Sequence, residues 1–119
     1  MDCLFERCSF IQCKCENGSL RRVVFDSCRQ SGMSFYQSSG KDVYWKECLL
    51  QYADFSQCAL KVTRFEHCIA TGASFYHVSL VQCDFKNNDL SNCDFTETSL
   101  REIHLANNNI QQARLSIPL

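Results

Sequence analysis

A period of five governs this chain more than any other feature. Residues at multiples of five run Phe5, Phe10, Cys15, Leu20, Phe25, Gln30, Phe35, Gly40, Trp45 and Leu50. The series continues Phe55, Leu60, Phe65, Ala70, Phe75, Leu80, Phe85, Leu90, Phe95, Leu100, Leu105, Ile110 and Leu115. Only Gln30 and Gly40 break the apolar run, and all nine phenylalanines of the protein fall in this one phase. A helix or a strand would carry side chains spaced by five onto changing faces. The chain must instead turn a corner at every pentad, and such repetition decides the fold before local propensity does.

Two residues before each centre lies a second inward set, mostly small: Cys3, Cys8, Cys13, Gly18, Val23, Cys28, Met33, Ser38, Val43, Cys48, Ala53, Cys58, Thr63, Cys68, Ala73, Val78, Cys83. Most of the ten cysteines lie in this set, while Cys15 takes a centre. Thiols confined to inward positions read as small buried hydrophobes rather than a disulfide framework, which points to a reducing compartment, the cytoplasm. Residues twenty apart form columns: Phe5, Phe25, Trp45, Phe65, Phe85, Leu105 in one, and Cys15, Phe35, Phe55, Phe75, Phe95, Leu115 in another. The columns between carry mainly Leu or small residues. Four pentads therefore close one square coil, with large rings from two opposite sides and smaller filling from the other two. About six such coils stack at the ~4.8 Å strand spacing. Local underpacking is expected near Cys15, Gln30, Gly40 and Ala70.

Ala53-Asp54-Phe55-Ser56-Gln57, Cys83-Asp84-Phe85-Lys86-Asn87 and Cys93-Asp94-Phe95-Thr96-Glu97 resemble the pentapeptide-repeat consensus, A-[DN]-L-x-x with Leu or Phe at its centre. The resemblance runs through the chain without an insertion. It implies an all-β fold, a right-handed quadrilateral β-helix, as one domain over residues 1–119 or a fragment lacking end caps. No capping helix is legible, and unpaired strand edges over apolar cross-sections favour association. The expected self-association end carries Ile110, Leu115 and Ile117, with Pro118 ending the ladder because it lacks an N–H.

The totals exclude several classes. No apolar run approaches a membrane span, and the start has neither the basic head nor the apolar stretch of a signal peptide. A net charge of −1 gives no global field that would imply a nucleic-acid or acidic partner. Cys8, Cys28, Cys48 and Cys68 share a column, and a straight ladder cannot surround a tetrahedral zinc. His67, His77 and His104 fall outward on different coils with no nucleophile beside them. A convex rod with a filled interior offers no pocket, so no catalysis, cofactor, metal or small-molecule substrate is expected.

Recognition is left to the walls. Arg21, Lys41, Lys61 and Arg101 form a basic stripe, diluted by Asp42 and Glu102. Another wall carries Glu6, Asp26, Glu47, Glu66 and Asp84 among Arg7, Lys46, Arg64 and Lys86. A third is mildly acidic through Glu16, Asp54, Asp94 and Glu97, with Tyr36 and Tyr76 upon it. The Cys-Asp-Phe pentads and the abundance of Cys and Phe are similar to the quinolone-resistance (Qnr-type) branch of the family. That similarity implies a non-enzymatic protein that imitates duplex DNA, binds DNA gyrase or topoisomerase and protects it from quinolones. The acidic set Glu6, Asp26, Glu47, Glu66 and Asp84 is then the expected partner surface. Two features differ from that branch: no pentad is interrupted by a loop, and the chain is near neutral whereas DNA carries about one charge per ~1.7 Å. The alternatives are a rigid protein–protein scaffold module of a larger protein or bacterial effector, or nucleic-acid contact along the basic stripe.

Overall fold

The computed structural model describes residues 2–115, and Ile117 and Pro118 lie outside them. Its strands are all parallel: β1 (Cys3–Glu6), β2 (Ser19–Asp26), β3 (Ser39–Lys46), β4 (Ala59–Lys61), β5 (Arg64–Glu66), β6 (Ser79–Val81), β7 (Asp84–Lys86), β8 (Asp94–Phe95) and β9 (Arg114–Leu115). Every register pair joins residues twenty apart, as in Phe5↔Phe25↔Trp45 and Leu60↔Leu80. The remaining two walls are laddered mainly by single bridges such as Ser34↔Asp54 and Leu49↔Ile69, with the β8–β9 pair extending the first of them. The chain is thus a four-walled β-solenoid of about six coils, each resting on its neighbours, with overall extents of 40 × 22 × 22 Å.

Each corner has the same backbone device. One residue per pentad, from Arg7 through Gln112, has φ between 48° and 71°, the left-handed region. At Phe35–Ser38, Phe55–Cys58 and Phe95–Thr98 the fourth residue donates its N–H to the first carbonyl at 3.0–3.1 Å. With positive φ at the third residue, this is the pattern of a type II turn. The corner N–H itself goes to the adjacent coil, as from Arg7 to the Asp26 carbonyl at 2.9 Å. Where an Asp precedes the centre it can support the bend. Asp54, Asp89 and Asp94 accept the N–H two residues on, from Ser56, Ser91 and Thr96 at 2.8–3.0 Å. That local bond is the physical sense of the consensus Asp.

Inside, the two aromatic columns stack along the rod and meet edge to face across it. Trp45 and Phe65 lie parallel at 4.8 Å, as do Phe55 and Phe75 at 4.9 Å, whereas Trp45 meets Phe55 at 89°. Both arrangements suit the quadrupole of an aromatic ring. The expected underpacking does not occur at Gly40 or Ala70. A Cβ on Gly40 would come within 3.0 Å of Leu60 Cδ2, so the neighbouring coil already fills that space. Ala70 is buried. Gln30 is buried too, with its amide nitrogen 3.8 Å from Met33 Sδ and its Oε1 unpaired.

The inward small residues do more than fill space. Cys28, Cys48 and Cys68 direct their thiols at the carbonyls of Phe5, Phe25 and Trp45 at 3.2–3.3 Å. One and two coils further along the same column, Asn88 and Asn108 donate to Phe65 and Phe85 at 2.9 and 3.0 Å. In the opposite column Ser38, Cys58 and Thr98 serve Cys15, Phe35 and Phe75. A buried carbonyl without a donor costs about 1–3 kcal/mol, so a weak S–H donor is well spent there. All ten cysteines are free; Cys13 is exposed, and Cys28, Cys48, Cys58, Cys68, Cys83 and Cys93 are buried.

Four outcomes are expected. Phe75 packs against four rings at 4.9–5.8 Å, so Phe75→Ala loses about 3–5 kcal/mol in urea unfolding. Trp45→Phe, which removes the unpaired buried Nε1 and matches its column, changes stability by less than about 1 kcal/mol. Burial pushes the Cys58 and Cys93 thiols from 9.0 up to about 12. Their contribution is whole below the unfolded pKa and is lost as pH rises through the folded one, so stability falls progressively between pH 9 and about 12. A thiol reagent at neutral pH labels Cys13 in the folded protein and reaches Cys58 only after unfolding.

Candidate functional site

The coil leaves two outward columns on each wall and one at each corner, so surface chemistry is set by which residues lie twenty apart. On the wall of β1, β5, β7 and the second halves of β2 and β3, one column reads Glu6↔Asp26↔Lys46↔Glu66↔Lys86 in register. Glu6 and Asp26 are thus neighbours, while Lys46 separates them from Glu66. Asp84 lies opposite Arg64 in the adjacent column. Glu47 stands exposed at the corner with φ 53°. The expected partner-binding acids share a wall or its edge, but cations are interleaved among them.

Glu66 is also engaged within the rod. The Tyr44 hydroxyl donates to its Oε1 at 2.7 Å, and Arg64 reaches its Oε2 at 3.6 Å. The Arg64 guanidinium in turn lies 4.1 Å from the Tyr44 ring centre, close enough for a cation–π contact. Burial, then donation to the Glu66 carboxylate, pushes the Tyr44 phenol up to about 12. Sequence reasoning missed this cluster, although Tyr44 and Arg64 are twenty apart and so were bound to stack. Leu4, exposed at 60%, extends the same column. With Asp2, Arg22, Val24, Asp42, Tyr44 and Arg64 it lines an open depression of about 370 Å³.

The Tyr76 wall holds Glu16, Asp54 and Asp94, each bound locally: Ser34 donates to Glu16 at 2.6 Å, and both aspartates cap backbone N–H groups. On the neighbouring wall, hydrogen bonds from Ser91 hold the Asp89 carboxyl below its usual range. Leu4 and Ile69 expose their apolar side chains as expected, whereas Val24 and Leu49 are half-buried. At one corner the exposed Tyr52 ring lies over Gly72, where an added Cβ would come within 2.6 Å of it.

Arg21, Lys41 and Lys61 are in register on β2, β3 and β4, with Val81 next and Arg101 a coil beyond. His67, His77 and His104 are exposed, with His67 and His77, ten residues apart, on opposite sides of one turn of the rod. Among the described residues no group of three or more His, Cys, Asp or Glu is placed to hold a metal ion. Among them, too, no helix is long and apolar enough to cross a membrane. Of the expected association end, Ile110 and Leu115 are 37% and 40% exposed.

The family profile described as a pentapeptide repeat region matches residues 1–69, and a second, for pentapeptide repeats in eight copies, matches residues 89–116. A search of curated proteins gave no match. Among solved structures, a trypsin-treated form of QnrB1, a plasmid-mediated fluoroquinolone resistance protein, superposes with a TM-score of 0.73 at 24% identity over 96% of this chain. A second trypsin-treated form of QnrB1 gives 0.70 at 23% identity over 96% of this chain. The chain spans 66% of the length of each of these structures. The pentapeptide-repeat protein Rfr23 from the cyanobacterium Cyanothece 51142 gives 0.62 at 14% identity, covering 91% of this chain and 87% of its own. An inward centre every fifth residue, parallel coils of twenty, and a profile match over more than half the length lead to one statement: the chain belongs to the pentapeptide-repeat family.

Proposed function

We infer that this rod is a non-enzymatic protein-binding element whose partner is a type II topoisomerase of the DNA gyrase kind, which it protects from quinolones. The observation that carries the reading is the shared fold with QnrB1, a fluoroquinolone resistance protein, over 96% of this chain. The physical argument agrees with it. Rings and hydrogen-bonded thiols fill the interior, so recognition is confined to rigid, flat walls. Rigid walls lose little conformational entropy on binding.

Charge density separates this rod from a full imitation of DNA. It has 13 acidic and 12 basic residues, and the acids of the Glu6 wall alternate with lysines. Engagement of the enzyme therefore rests on local pairs such as Glu6 with Asp26, and on the free corner charge of Glu47. Glu66, spent on Tyr44 and Arg64, contributes through fold. The alternating register also favours a second reading, a scaffold for a protein partner of mixed charge. The apolar end at Ile110 and Leu115 is assigned to self-association.

The test is gyrase supercoiling in the presence of ciprofloxacin, with and without the protein. Restoration of supercoiling is expected. In the E6K/E47K variant, protection should weaken by about 10-fold or more with no loss of thermal stability, because these charges make no internal ion pair among the described residues. Absence of protection removes the topoisomerase reading and leaves the scaffold. Protection that survives the double reversal moves the contact to another wall.

A further inference from the structure

We propose that the wall carrying Arg21, Lys41 and Lys61 binds the phosphate backbone of double-stranded nucleic acid without regard to its sequence. The three residues are register partners on adjacent parallel strands, which sets like charges about 4.8 Å apart along the rod. Like charges directly opposite one another destabilise a sheet. No ion pair relieves them: among the described residues the ion pairs are Arg22 with Asp2 and Arg64 with Glu66. Asp42, at the corner beside Lys41, dilutes the field without joining such a pair. The repulsion is relieved when an external anion lies along the ladder.

A second observation supplies the shape. Beside the cations runs a depression of about 250 Å³, floored by Leu20 and Gly40 and banked on its far side by Ser19, Ser39 and Ala59. The small far-bank residues keep it open. Cationic side chains beside serine hydroxyls are a donor set suited to phosphate oxygens.

The choice of a duplex follows from what the wall lacks and from charge density. The exposed rings Tyr52 and Tyr76 stand elsewhere, so there is no platform for the base stacking that single strands use. Acidic side chains on one face of an extended peptide recur every ~6.8 Å, out of step with the ladder. A duplex offers one charge per ~1.7 Å of axis and so meets cations at any spacing. The proposal is independent of the topoisomerase reading and is tested without the enzyme.

Fluorescence anisotropy of a labelled duplex of about 20 base pairs should show binding that weakens about 40- to 150-fold between ~50 and ~200 mM KCl, as three or four phosphate contacts require. In K41Q/K61Q the affinity at ~50 mM salt should fall by about 10-fold or more and the salt slope should flatten by about 2. The melting temperature of that variant should not fall, since a repulsion is removed. K14Q/K86Q, altered on other walls, should bind as the parent does. Three results overturn the proposal: no binding at ~50 mM salt, equal affinity in K41Q/K61Q, or tighter binding of the single strand. Competition by polyglutamate as effective as that by unlabelled duplex also overturns it and assigns the wall to acidic proteins.

Discussion

Each corner of the coil turns on a residue held in the left-handed region, and one recurs in every pentad from Arg7 to Gln112. For a residue with a Cβ this conformation costs about 1 kcal/mol or more. For Val62, β-branched at φ 48°, the cost is at the upper end of that scale. No single corner justifies it. The compensation is collective: each bend delivers an N–H to the adjacent coil, a centre to the aromatic column and a small residue to the carbonyl beside it. A coil that failed to bend would lose all three together, so the corners hold only where neighbouring coils do.

The inward small column shows how such a fold tolerates different chemistry at one position. Cys28, Cys48 and Cys68 give way to Asn88 and Asn108, and Ser38 and Thr98 flank Cys58 at their own distance of one and two coils. Each aims a donor at a carbonyl of the neighbouring coil. Asn88 and Asn108 also accept the N–H of Cys68 and Asn88, bridging the turn from outside its own coil. The thiol combines a donor with apolar bulk, which suits it to these inward positions.

The core was legible because a side chain that must fill a fixed interior every fifth residue leaves a compositional trace: rings at the centres, small residues two places before. The corners left almost none. Arg, Gln, Val, Tyr and His all occupy the left-handed position, and only Gly32 and Gly72 announce it. The donor role of the thiols was hidden too, since periodicity says that Cys58 points inward but not that it meets the Phe35 carbonyl. On the surface, the acidic set was readable as composition. Its neutralisation by Lys46 and the capture of Glu66 by Tyr44 and Arg64 required register. Gly40 was misread as a void because Leu60, one coil away, occupies its place.

A rod held in this way has an occupied interior and rigid outer faces, and its recognition properties follow from the register of the side chains on them. The backbone φ angles, obtained by solution NMR from couplings and chemical shifts, test this most directly. The account predicts positive φ at every fifth residue through Tyr52, Val62 and Asn92, with extended or turn values between. Helical or extended values at Val62 and its five-residue neighbours would contradict it.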